Sequence, residues 1–195
     1  MLTLWDLIKH RPKSRNAQPA KANSRRAGMA PKLPAPPKTQ GKMALRYEEM
    51  TRAMLAEYGV RVRKWRTSMS GVAWQVTYHD GTVARLIEAP RPRGPMSAAV
   101  FLHEIGHHAI GFRTYSPRCL EEYHAWAFAL EQMHRWDLNV TDSVRRRMHA
   151  SLSYAVHKAL RRGLLNLPPE LIPFQDPPAP RAPAAKTPAP ITLVQ

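Results

Sequence analysis

The chain has 195 residues, with 30 Lys and Arg against 14 Asp and Glu, which gives a formal net charge of +16. This length allows one modest domain with flexible extensions, and the excess of positive charge predicts attraction to polyanions unless that charge lies on solvated tails. The single cysteine, Cys119, excludes an intramolecular disulfide and a cysteine-rich zinc module. No apolar run approaches the roughly 18 residues of a membrane span, so we expect a cytoplasmic protein without a membrane span.

The prolines mark the predicted domain boundaries. Six lie between Pro12 and Pro37 and nine between Pro168 and Pro190, against four in the long middle of the chain. Segments rich in Pro, Ala, Lys and Gln cannot bury enough apolar surface to offset the entropy of ordering. The sequence therefore predicts a basic, Pro-rich disordered segment at 1–41, a folded domain at 42–170, and a Pro/Ala-rich disordered tail at 171–195.

Hydrophobic periodicity predicts the elements of the folded domain in chain order. A helical pattern covers 43–58 and ends at Gly59, after which the period changes to two, as is typical of strands. Three strands at 60–65, 72–78 and 82–87, the last two separated by the turn signal His79–Asp80–Gly81, predict a small antiparallel sheet. Helices are then expected at 98–110, 117–136 and 143–162. The predicted fold is α+β, with one helix before the sheet and three after it.

The helix expected at 98–110 contains the pattern H-E-x-x-H, formed by His103, Glu104 and His107. Histidines four residues apart lie on one face of a helix, so both imidazoles can reach one metal ion. The carboxylate of Glu104, beside that face, can accept a proton from water at the metal. This combination predicts the core of a zinc hydrolase site, with Zn²⁺ as the cofactor.

A zinc site with two histidines needs a third protein ligand. The sequence lacks the third histidine of the pattern H-E-x-x-H-x-x-G-x-x-H, so the ligand is expected on the next helix, where Glu121, Glu122 and His124 are the candidates. Glu122 shares a helical stripe with Ala125, which is small enough to let the two helices approach closely. Glu122 is therefore the preferred ligand, and Glu121 and His124 remain alternatives.

The segments H-E-I-G-H at 103–107 and E-Y-H-A-W-A-F-A at 122–129 resemble the H-E-x-x-H … E-x-x-A-x-x-F-A arrangement of ImmA/IrrE-type zinc metallopeptidases. The resemblance covers roughly residues 45–135. It implies a minimal zincin-like domain in which a helix and a three-stranded sheet precede the metal helix. It also implies that a peptide substrate pairs with the edge strand of the sheet, which we expect at 82–87.

Carried over by position, the resemblance implies His103, His107 and Glu122 as zinc ligands and Glu104 as general base. The implied activity is zinc-dependent hydrolysis of peptide bonds in a protein substrate, as in a regulatory or mobile-element protease. Such sites usually add a donor to the developing oxyanion. The sequence offers five candidates for that donor without ranking them: Arg113, Tyr115, His149, Tyr154 and His157.

The basic segments allow an alternative function. Arg145–Arg147 and Arg161–Arg162 occur in the last predicted helix, and further Lys and Arg residues occur in the N-terminal segment. Without a recognisable DNA-reading motif, these charges predict only non-specific contact with nucleic acid. The alternative is therefore a nucleic-acid- or protein-binding adaptor in which the zinc site is structural.

Overall fold

The computed structural model describes residues 41–177. The predicted disordered segments 1–41 and 171–195 lie outside the described residues, apart from Gly41 and 171–177. Among the described residues, no helix is both long enough and apolar enough to cross a membrane.

The described residues form four α-helices, a three-stranded sheet and a short 3₁₀ helix, which confirms the predicted α+β class and the order of its elements. In chain order they are α1 (Lys42–Glu57), β1 (Val60–Arg66), β2 (Val72–Thr77), β3 (Val83–Pro90), α2 (Pro95–Ile110), α3 (Arg118–Arg135), α4 (Asp142–Arg161) and the 3₁₀ helix Pro169–Phe174. The packed chain continues past the predicted boundary at residue 170, because Leu171 and Phe174 belong to the hydrophobic core.

The sheet is mixed, so the prediction of an antiparallel sheet is wrong. Its strand order is β1–β3–β2: β2 pairs antiparallel with β3, whereas β1 pairs parallel with β3. The expectation that residues 82–87 form an edge strand is also wrong, because β3 is the central strand. The edges of the sheet are β1 and β2.

Burial and charge explain why β3 takes the centre. Its last four residues, Ile87 to Pro90, are all buried, whereas β1 carries four basic residues and is mostly exposed. Charged strands are suited to sheet edges, where they discourage pairing with other chains. Glu88 of β3 is buried and accepts hydrogen bonds from Arg63 (2.6 Å) and Arg66 (3.1 Å) of β1. A buried carboxylate needs such partners, so this network stabilises the parallel pairing.

Helix α2 lies in the core, and every residue from Ser97 to His108 is buried. One side of the helix contacts β3, and α3 packs against it closely around Gly106. A Cβ atom at Gly106 would lie 2.8 Å from the backbone oxygen of Ala125 and 3.2 Å from its Cα. The absence of a side chain at 106 therefore sets the distance between α2 and α3.

We expect the substitution Gly106→Ala to destabilise the protein, although alanine is normally the better helix former by about 1 kcal/mol. The added methyl group would press on backbone, and overpacking of this kind costs about 1–3 kcal/mol. The expected net loss is thus about 1 kcal/mol in the free energy of unfolding, measured by urea titration of the metal-free protein. An unchanged or increased stability would show that the helices are not in tight contact at this position.

Candidate metal centre

Three side chains from α2 and α3 converge on one point. His103 and His107, one turn apart on α2, and Glu122 on α3 each offer one ligand atom, and these atoms all lie within 4.8 Å of one another. The Oε2 atom of Glu122 is 3.4 Å from Nε2 of His103 and 3.7 Å from Nε2 of His107. The three residues predicted as ligands are therefore close enough to hold a single metal ion.

The spacing of these atoms is compatible with metal coordination. The separations of 3.4 and 3.7 Å are longer than a typical N–H···O hydrogen bond of about 2.7–3.2 Å, so the hydrogen bonding between Glu122 and the two histidines is weak. Ligand atoms at about 2.0–2.2 Å from a tetrahedral zinc ion lie roughly 3.4 Å apart. Two imidazole nitrogens and one carboxylate oxygen are also a usual donor set for zinc.

Aromatic side chains hold both imidazole rings. The indole of Trp126 stacks on His103 with ring centroids 4.6 Å apart, and Phe112 stacks on His107 at 6.2 Å. Burial lowers the pKa of His103, although the neighbouring Glu122 acts in the opposite direction. A neutral imidazole with a fixed orientation is the form that binds a metal.

Arg118, one turn before Glu122 on α3, contacts the second oxygen of that carboxylate. Its Nε donates to Oε1 of Glu122 over 3.4 Å. Burial acts to raise the pKa of Glu122, but the hydrogen-bonding and charge effects of His103 and His107 outweigh it, so the pKa lies well below its usual range. The side chain is therefore an ionised carboxylate with Oε2 directed at the histidines.

Glu121 does not join the three ligands but contacts His107 from the other side of the ring. Its carboxylate is 1% exposed, and Oε1 lies 3.5 Å from Nδ1 of His107. Its Oε2 accepts a hydrogen bond of 2.9 Å from the backbone N–H of Arg113, a residue in the left-handed region at φ 62°. Such an unusual conformation in a non-glycine residue often marks a functional site. A carboxylate behind a metal-binding histidine fixes the ring orientation and raises its basicity.

We expect the substitution Glu121→Gln to weaken zinc binding by about 10–100-fold, because partners of metal-binding histidines contribute on that scale. Competition with a chromophoric chelator would measure the change. The control is Glu131→Gln, the same chemical change at an exposed position of α3. Equal affinities for the two variants would contradict the assigned role of Glu121.

Glu104 lies beside the ligands but is not one of them. It is 5% exposed, and burial raises its pKa to about 7. Gly71, immediately before β2, packs directly on its side chain: a Cβ atom there would lie 2.4 Å from Cγ of Glu104. Within residues 41–177, the carboxylate makes no hydrogen bond or ion pair. Only a glycine leaves room for Glu104 in this position.

The remaining candidates lie in other environments. His124 stacks on Tyr115 with ring centroids 3.8 Å apart and does not belong to the group formed by His103, His107 and Glu122. His108 is buried, and its Nε2 lies 3.1 Å from the carbonyl oxygen of Leu86, to which it donates.

Among the five candidate oxyanion donors, Tyr154 lines a pocket that also contains Glu122. Arg113 uses its backbone N–H for Glu121, His149 packs against Phe174, and His157 is exposed on α4. Of the five candidates, Tyr154 is the one that lines this pocket together with Glu122.

Three contributors to the site were not predicted from the sequence: Gly71, Arg118 and the stacking of Trp126 on His103. An isolated glycine immediately before a strand pattern signals close backbone approach, so Gly71 carried a usable signal. Arg118 stands four residues before Glu122, a spacing at which side chains meet on a helix. Comparisons with protein-family models, with curated proteins and with solved structures found no match for this chain.

Proposed function

We propose that the protein is a zinc-dependent metallopeptidase in which His103, His107 and Glu122 hold the ion and Glu104 is the general base. The observation that carries the proposal is the isolated, buried carboxylate of Glu104 beside three convergent ligand atoms. A largely buried carboxylate without a hydrogen-bond partner is unfavourable, and the raised pKa of Glu104 reflects this burial. A role as general base beside the metal explains why a carboxylate is kept at position 104.

Each residue then has a defined task. Zinc held by His103, His107 and Glu122 would supply Lewis-acid chemistry: it would lower the pKa of water to about 7 and polarise a substrate carbonyl. Glu104 accepts the proton from the attacking water and donates it to the leaving nitrogen of the cleaved peptide bond. Tyr154 donates a hydrogen bond to the carbonyl oxygen as negative charge develops there. Glu121 and Trp126 hold the orientation of the two histidine rings.

The free edge of β2 supports a peptide as the substrate. Among residues 41–177, this strand pairs with β3 alone, and Gly71 immediately before it packs against Glu104. An extended peptide added along that edge would gain backbone hydrogen bonds and pass beside the general base. The pairing strand is thus β2, in place of residues 82–87.

The adaptor alternative is less well supported. A structural zinc site is normally closed by four protein ligands, whereas the described residues supply three. An open position is the feature that distinguishes catalytic zinc sites. A structural role also leaves the buried Glu104 without a purpose.

The proposal is tested by incubating the zinc-loaded full chain with a pool of peptides from a digested proteome and reading new termini by mass spectrometry. We expect new cleavage sites that disappear on chelation and return when zinc is added. The Glu104→Gln protein, loaded with zinc in the same way, is the control. If the two proteins give the same termini, the peptidase proposal is wrong.

A further inference from the structure

A pocket of about 690 Å³ opens beside the metal centre, between the start of α3 and the C-terminal half of α4. Glu122, a metal ligand, forms part of its wall, so a molecule in the pocket lies next to the proposed site of hydrolysis. Ala155, Ala159 and Leu164 form an apolar part of the wall. The volume is ample for a side chain of a bound peptide.

The charged groups around this pocket are almost all positive. Arg118, Lys158 and Arg162 line it, and the one carboxylate in the wall, Glu122, faces the two histidines. Arg118 is engaged with that carboxylate. Lys158 and Arg162 form no ion pair with any residue of the described part of the chain, and Lys158 Nζ lies only over the ring of Tyr154, 5.9 Å from its centroid. Two uncompensated cations therefore border a partly apolar pocket.

The helix ends at the pocket add to the positive potential. Pro117, Arg118 and Cys119 belong to the N-terminus of α3, where the first backbone N–H groups have no helical acceptor and the helix dipole is positive. The negative C-terminus of α4 also borders the pocket, but the backbone N–H groups of 162–164 bond two of its last carbonyls, those of Ala159 and Leu160. The net field therefore favours a negatively charged group.

We propose that this pocket binds an acidic side chain, aspartate or glutamate, of the peptide substrate next to the bond that is cleaved. The proposal rests on the proposed peptidase function and defines its substrate class. The carboxylate is bound by Lys158 and Arg162, and the methylene groups contact the apolar wall. Arg118 keeps its ion pair with Glu122, which belongs to both the pocket wall and the metal centre.

Binding is measured with the full-length Glu104→Gln protein loaded with zinc, by fluorescence anisotropy of two labelled, C-terminally amidated heptapeptide pools. One pool has a central Glu, the other a central Gln, and the remaining positions hold mixtures of uncharged residues. We expect the Glu pool to bind about ten-fold more tightly, on the scale of two exposed ion pairs. Amidation excludes a contribution from the peptide's own C-terminal carboxylate.

The double substitution Lys158→Glu/Arg162→Glu in the same protein should remove the preference for the Glu pool. The matched control is Arg145→Glu/Arg161→Glu, which changes the charge equally at exposed positions of α4 outside the pocket wall. The control should retain the preference. If it loses the preference to the same extent, general electrostatic attraction explains the binding and the pocket assignment is wrong.

Should the Glu double variant unfold, the neutral double substitution Lys158→Gln/Arg162→Gln replaces it. This variant is expected to lose the preference for the Glu pool as well.

Cleavage of the same pools by the wild-type protein separates this inference from the proposed function. Cleavage of both pools at equal rates, together with equal binding, would overturn the acidic specificity and leave the peptidase intact. The Glu104→Gln protein could also bind the Glu pool selectively while the wild type cleaves neither pool. This result would overturn the peptidase proposal, and the assignment of an acidic side chain to the pocket would stand.

Discussion

The substitution Glu104→Gln is expected to reduce the rate of peptide hydrolysis by about a thousand-fold or more while zinc remains bound, because general base catalysis contributes about 10²–10⁴-fold. Glutamine has nearly the same size, so it can occupy the space beside Gly71 without moving the ligands. Its amide cannot accept a proton from water. The effect should therefore fall on kcat, with little change in zinc content.

Two measurements on the same protein preparation show whether the loss of activity in Glu104→Gln comes from the missing general base and not from lost zinc. Zinc content by mass spectrometry should equal that of the wild type, and kcat should be measured on a substrate found in the peptide-pool experiment. The exposed Glu131→Gln variant should keep full activity. A Glu104→Gln protein that hydrolyses the substrate at the wild-type rate would remove Glu104 from the mechanism.

The second large effect is expected from Glu122→Gln, which replaces the carboxylate ligand by a neutral amide. Removing a residue that hydrogen-bonds a metal-binding histidine lowers the affinity for the metal by about 10–100-fold. Removing a direct ligand should therefore lower the zinc affinity by more than about 100-fold. Bound zinc stabilises the folded state by about 4 kcal/mol when its free concentration is 1,000 times the dissociation constant. The variant should therefore lose both the zinc and the zinc-dependent rise in melting temperature.

His124→Ala is the matched control for Glu122→Gln, because His124 was a candidate ligand two residues away and instead stacks on Tyr115. This variant should bind zinc as the wild type does. Metal-free melting temperatures of both variants separate a loss of ligand from a loss of fold. Retained zinc in Glu122→Gln together with lost zinc in His124→Ala would reverse the assignment.

The four α-helices and three strands followed from the sequence because each has a clear periodicity and a clear stop, such as Gly59 after α1 and Gly163 after α4, whereas the 3₁₀ helix Pro169–Phe174 was not predicted. The order of the strands in the sheet could not be predicted from the sequence. Five residues, 67–71, separate β1 from β2, which is also the length of a hairpin loop. A loop of that length can equally span the width of one intervening strand, since five residues reach about 17 Å and neighbouring strands lie about 4.8 Å apart. The burial of β3 explains why β3 lies between β1 and β2, in place of a direct β1–β2 hairpin.

The closeness of His103 and His107 could be predicted because helical spacing brings them together within one element. The distinct positions of Glu121 and Glu122 depend on the packing of α3 against α2, which is set by Gly106 and Ala125. Successive residues point about 100° apart on a helix. One carboxylate therefore reaches the metal site and the other reaches the back of the His107 ring.

Features that join distant parts of the chain could not be predicted. Gly71 reaches Glu104 because the loop before β2 passes over α2, and the basic pocket forms because the C-terminal half of α4 lies beside the start of α3. A sequence pattern within one element can signal that a close approach occurs, as Gly71 does before β2, but it does not identify the distant residue that is approached. Lys158 and Arg162 are ordinary solvated residues of a basic helix until α3 is placed next to them.

A zinc titration of the metal-free, full-length protein by isothermal calorimetry tests the metal centre most directly. We predict one zinc ion bound per chain, and no comparable binding to a His103→Ala/His107→Ala variant that remains folded. A wild-type protein that binds no zinc, or a double variant that binds it with the same affinity and stoichiometry, would contradict the assignment of this site.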